Sequence, residues 1–253
     1  MTEGEARRPR SIAALIVLGA AALAVFVGLL ALGTWQVERR AWKHELIARV
    51  DQRVGAEPVA PPGPADWAKV NAAADEYRHV RISGRFLNDR EAQVVASTAK
   101  GSGYWVMTPL QTADGSVILV NRGFVPNENR DPATRAAGQV DGPVSVTGLL
   151  RMTEPKGGFL RSNEPAAERW YSRDVAAIAA ARGLTNVAPY FIDADATPNP
   201  GGLPIGGLTV ISFPDNHLVY AVTWYGLAAL LAFGVVRAIR SERRARREQA
   251  AAG

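Results

Sequence analysis

Two long runs without a charged residue, one near each end of the chain, limit most strongly what it can fold into. Ile12–Gly33 extends about 22 residues and Leu218–Val236 about 19. At the helical rise of about 1.5 Å per residue, either run is long enough to cross a hydrocarbon core. The first run exceeds the apolar segment of a secretory signal, about 7–15 residues, and no small-x-small site follows it cleanly, so it is expected to remain as an anchor. Within it Ala20, Ala24 and Gly28 recur every four residues. Such a stripe of small side chains lets another helix approach, unless it is alanine-rich filler.

Orientation follows from the basic residues. The formal net charge is +5, and arginines crowd the two ends, a pattern that suits anionic lipid rather than nucleic acid. Arg237, Arg240, Arg243, Arg244, Arg246 and Arg247 follow the second run, whereas no Lys or Arg lies between Gly183 and His217. Both termini are therefore expected in the cytoplasm, with the central domain periplasmic or otherwise extracytoplasmic at the cell (plasma or inner) membrane. Arg39, Arg40, Lys43, Arg49 and Arg53, just beyond the first run, oppose this rule and need another explanation. The expected organisation is a tail (1–11), a first span (12–35), a helical stalk (36–55), a β-rich domain (56–216), a second span (217–237) and a basic tail (238–253).

The stalk places Trp35, Arg39, Trp42 and Leu46 on one helical face, with Trp35 at headgroup level. Gln36, Arg39, Arg40 and Lys43 suit either lipid phosphates or the acidic groups of a ligand. His44 has no second ligand at a suitable spacing and reads as surface. Residues 56–74 carry four prolines and form a connector. Beyond them, alternating residues predict short strands at 77–86, 91–97, 103–111, 116–122, 143–151, 189–193 and 208–213, with a hairpin at Asp114-Gly115 and a turn over Asn121-Arg122-Gly123-Phe124-Val125-Pro126. Ser172-Arg173-Asp174 opens one helix, Val175–Ala181, stopped by Gly183. The fold class predicted is a membrane protein in which two transmembrane helices flank a small β-barrel or curled antiparallel sheet with one short helix.

Enzyme chemistry finds no support. The chain has no cysteine, which removes thiolate nucleophiles and metal–thiolate sites. Its three histidines are far apart, with no His-x-x-x-His pair for zinc. Gly101-Ser102-Gly103 lacks the frame of a nucleophile elbow, and the glycines of 200–207 lack the Lys-Ser/Thr of a phosphate cradle. A two-span sensor would need an output domain, and only six residues follow Arg247.

One stretch remains as a candidate site. In Ser212–Gly226 a polar loop with His217 runs straight into the second span, and Tyr220 and Trp224 follow at helical spacings of three and seven. An ionisable group at a membrane border is costly, and so marks a functional candidate. The alternative is an aromatic belt beside a helix-start histidine.

Several blocks together resemble the surfeit locus protein one family of cytochrome c oxidase assembly factors. They are Leu32-Gly33-Thr34-Trp35-Gln36 with Arg39, Trp42 and Lys43; Gly84-Arg85-Phe86; Val120-Asn121-Arg122-Gly123 with Val125-Pro126; Pro204-Ile205-Gly206-Gly207; and Asn216-His217-Leu218 with Tyr220-Ala221 and Thr223-Trp224-Tyr225. Asp215 stands where that family usually has a second asparagine, and Phe124 where it often has tryptophan. The resemblance implies a membrane-anchored factor that binds haem a and assists its delivery to the large catalytic subunit, subunit I, of an aa3-type oxidase. A haem a synthase is then a further partner. The family's haem-linked histidine maps onto His217. In that picture the imidazole is the metal ligand, Tyr220 and Trp224 line the ring, and Arg39, Arg40 or Lys43 pair with the propionates. The competing expectation is a scaffold that holds an oxidase subunit without haem.

Overall fold

A computed structural model describes residues 11–158 and 160–252. The expected N-terminal tail (1–11) lies outside them except for its last residue. In chain order the elements are α1 (Ile12–Gly55), α2 (Ala72–Asp75), β1 (His79–Phe86), β2 (Ala92–Thr98), β3 (Gly101–Gln111), β4 (Val117–Pro126), β5 (Pro143–Met152), α3 (Val175–Ala181), β6 (Val187–Ala194) and α4 (His217–Ala252). They form two compact units, one of residues up to Ile47 with those from Ser212 onward, the other Ala48–Ile211.

The helical unit is a membrane-type pair. Both helices are long and apolar enough to cross a bilayer, and of their most apolar stretches none of α1 and only 11% of α4 is buried. So large a bare apolar surface belongs in lipid. The residues sheltered from solvent follow alternating steps of four and three: Ala22, Phe26, Leu29, Gly33, Gln36, Arg40 and Lys43 on α1, and His217, Ala221, Trp224, Ala228, Leu231 and Val235 on α4. That period, about 3.5 residues, is the seam of two antiparallel helices packed side by side. Ala20, Ala24 and Gly28 are exposed and take no part in it. A strict four-residue stripe drifts around the helix away from a 3.5-residue seam. The close crossing is at Gly33, where an added Cβ would stand 2.7 Å from the Tyr225 ring.

The β unit is a five-stranded barrel. Its strands run in the order β1-β5-β6-β4-β3, and β3 returns to β1 through Arg85↔Gln111 and Phe86↔Leu110. All neighbours are antiparallel except β4 and β6. β2 pairs with the first part of β3, outside the closure. Alternate residues fill the interior: Val80 and Ile82 of β1, Leu110 of β3, Ile118 and Val120 of β4, Leu150 of β5, Tyr190 and Ile192 of β6. The opposite faces of β4 and β6 are also covered. Leu119 and Phe191 pack with Ala92, Val94, Met107 and Trp170 beneath Val175 and Ile178 of α3. β4 is thus buried on both sides, which explains the unbroken apolar run of its first four residues, Val117 to Val120.

Among the described residues, six of the seven segments read as strands form one. Residues 208–213 join no ladder. Both edges of every barrel strand are already taken, and Thr209 spends its hydroxyl on Asp193 instead, at 3.0 Å. The turn expected over residues 121–126 is absent as well, because β4 continues through it to Pro126. α3 has the predicted bounds, capped by the Asp174 side chain accepting from the Ala177 amide at 3.1 Å.

Candidate functional site

His217 opens α4 and faces α1. Its Nδ1 lies 2.7 Å from Oε1 of Gln36, both side chains sitting in the helix seam. An amide oxygen only accepts, so Nδ1 donates, and in the neutral ring Nε2 keeps its lone pair. No partner for Nε2 is found among the described residues. A donor nitrogen is therefore oriented and held in one tautomer by its neighbour helix, the arrangement that metal-ligating imidazoles usually have.

Asp215 fixes the start of α4. Its Oδ1 accepts from the His217 amide at 3.0 Å, and its Oδ2 lies 2.8 Å from His44 Nε2 and 3.7 Å from Arg40 Nε. Lys43 donates to the carbonyl of Pro214. Exposed His44, read from sequence as plain surface, thus helps tie the loop to α1. The His217 amide and then the His44 ring hold the Asp215 carboxyl below the ordinary aspartate range. A group with a lowered folded pKa stabilises above its unfolded pKa and loses that contribution as pH falls through the folded value. Amide exchange at Leu218–Tyr220, corrected for intrinsic rates, is therefore expected to accelerate only below about pH 4, and Asp215→Asn should remove that acid dependence.

The six residues singled out from sequence do not all converge. Trp224 shares the seam with His217, half-buried, whereas Tyr220 lies on the flank, 53% exposed. A seam of alternating four and three steps takes positions 217, 221 and 224, so Ala221, rather than Tyr220, faces α1. Among the cations, Arg40 and Lys43 are engaged with Asp215 and Pro214. Arg39 is exposed, its guanidinium 4.5 Å from the centre of the Trp42 ring. Tyr225 bonds Thr34 through its hydroxyl at 3.1 Å. Gln36, and the tie from Asp215 to His44, are what sequence reasoning did not find; that Asp215 bears on the hydrogen bonding beside His217 was legible. Gln36 was legible only as one polar residue among four on the stalk.

Among the described residues, no group of three or more His, Cys, Asp or Glu side chains is placed to hold a bare metal ion. One imidazole with a free nitrogen does fit an iron whose equatorial donors come from a porphyrin. The β unit contributes a different kind of polar structure. Buried Asp193 accepts from Arg151 and Arg173 at 3.0 Å each and from Asn121 at 2.8 Å. Such networks hold a sheet in register rather than do chemistry.

Comparison with known proteins agrees in extent. A family model described as the SURF1 family matches residues 23–229, from within α1 to within α4. Surfeit locus protein 1 of Rattus norvegicus is 40% identical over 218 residues, covering 80% of this chain and 69% of the relative. The protein of the same name from Homo sapiens is 40% identical over 219 residues, covering 80% and 71%. A SURF1-like protein of Monosiga brevicollis is 41% identical over 225 residues, 83% of each chain.

Proposed function

The chain belongs to the SURF1 family, and from that premise we propose that it assists assembly of an aa3-type cytochrome c oxidase as a membrane-held carrier of haem a. The observation that carries this reading is the 2.7 Å bond from His217 to Gln36, which leaves Nε2 as an unengaged donor at the start of a spanning helix. The cargo is haem a, received from a haem a synthase and passed to subunit I. Haem supplies the iron and the redox chemistry of the finished oxidase; the protein's part is to hold and release it. His217 offers the axial nitrogen, and Gln36 keeps the tautomer. Trp224 and the more exposed Tyr220 supply aromatic surface to the ring, and Arg39, Arg40 and Lys43 supply positive charge where the propionates reach the headgroup layer. A single protein ligand suits a carrier, because cargo held by one bond is easily surrendered. In this reading both termini face the cytoplasm, with the barrel on the other side of the cell membrane.

The test is a spectrum. Protein purified in detergent from cells that make haem a should carry a haem a pigment, and protein from cells lacking haem a synthesis should carry none. A colourless protein from both would leave a tethered scaffold for an oxidase subunit as the reading. Gln36→Leu keeps the helix but removes the acceptor that orients the imidazole. It is expected to weaken haem a binding about 10–100-fold in a detergent titration, with Gln36→Glu recovering most of the loss.

A further inference from the structure

The buried charges of the β unit are paired, with one exception among the described residues. Glu91 is bridged by Arg135, Asp193 by Arg151 and Arg173, and Asp75 by Arg78. Arg122 has no carboxylate on it. It is 2% exposed, and its Nη2 donates to the Gly138 carbonyl at 2.5 Å and to Oδ1 of Asn199 at 2.9 Å. The Phe86 ring centre is 4.6 Å from its guanidinium carbon. Nε and Nη1 are buried without a partner. Burial pushes the guanidinium down to about 10; Glu91 raises it and Arg135 lowers it again. It remains a cation at neutral pH, and a buried cation with two idle donors is costly unless something answers it.

Arg122 lines a cavity of about 320 Å³. Phe86, Val120, Val144 and Val146 give that cavity apolar wall, and Ser145 and Asn199 give it polar wall. Its volume falls at the lower end of the range of small-molecule sites, about 300–1,000 Å³, and eight of its fourteen lining residues are apolar. Asn199 ties the arrangement together, since its Nδ2 also donates to the Pro204 carbonyl at 2.6 Å. Asp195 lies on the same wall, one oxygen accepting from the Thr197 amide at 2.9 Å. A dianion would meet its repulsion.

We propose that this cavity binds a small monoanionic carboxylate with a short apolar tail, and that Arg122 supplies the opposite charge. The carboxylate answers the unpaired guanidinium, and the tail covers the valines and Phe86. The site belongs to the barrel alone and does not depend on haem binding by the helices.

Thermal unfolding of the full chain in detergent tests it, with hexanoate, hexan-1-ol and inorganic phosphate as probes. Hexanoate is expected to raise the midpoint saturably, by about 4 °C at about tenfold over its dissociation constant. Hexan-1-ol and phosphate should leave it unchanged. Val144→Trp fills the cavity from its half-buried apolar wall and leaves Arg122 in place; it should abolish the hexanoate shift while the variant still unfolds in one transition. Arg122→Met should abolish the shift as well, and if that variant does not fold, Val144→Trp still decides. No saturable hexanoate shift in the parent overturns the assignment. So does an equal shift with hexan-1-ol or phosphate, or a hexanoate shift that survives Val144→Trp.

Discussion

His217→Ala is expected to purify without haem a from cells whose parent protein carries it. The loss should exceed the about 10–100-fold expected when only the orienting partner of a metal ligand is removed, because here the sole imidazole facing the seam is gone. The helix pair should survive the change. Ala221 and Ala228 remain buried, the Tyr225 hydroxyl still reaches Thr34, and Lys43 still holds Pro214. What the variant leaves behind is Gln36 Oε1 without its donor, a cost of about 1–3 kcal/mol if the site stays dry. The unfolding midpoint of the barrel should be that of the parent, which separates loss of a ligand from loss of fold. A pigment retained in full by His217→Ala would remove this residue from any role as ligand.

Gly123→Ala should be the most damaging single-methyl change in the β unit. Gly123 has φ +128°, in the region that L side chains rarely adopt. A Cβ there would lie 2.1 Å from the carbonyl oxygen of Ile205. The obstacle is backbone, and it is the same backbone that pairs Phe124 with Ile205 through bonds of 2.9 and 2.8 Å. Conformational strain of about 1–3 kcal/mol therefore adds to the parting of a buried backbone pair. The expected destabilisation is about 4 kcal/mol or more, seen as a midpoint lower by about 10 °C. A loss below about 1 kcal/mol would mean that the 204–207 segment is not held against β4 as described.

How much of this was legible in the sequence varies with the kind of signal. The two spans were, since absence of charge over a bilayer's width depends on neither partner nor register. The α3 helix was too, because Asp174 and Gly183 mark its ends locally. Barrel closure was not: a strand's hydrophobic alternation says which face is inward, but not that β3 returns to β1 at Phe86 and Leu110. That closure is why residues 208–213 find no ladder to join. In the helical unit, His217 stood out by its place at the edge of an apolar run. The stripe drawn through Tyr220 did not match, because the packing seam runs at 3.5 residues and passes through Ala221. Gln36 and Asp215 gain their meaning from contacts across about 180 positions of sequence, a distance over which local pattern carries no information. Arg122 was hidden for another reason. Arginine in a short polar stretch reads as a turn, and only the folded barrel reveals that it is enclosed and unpaired.

The most direct measurement of the central claim is chemical rescue at position 217. His217→Gly, purified from cells that synthesise haem a, should show no haem a spectrum. Added free imidazole with haem a should restore one like the parent's, while His217→Gly with haem a alone should not. If the glycine variant binds haem a as tightly without imidazole as the parent does, iron is held elsewhere and His217 serves only to pin α4 to Gln36.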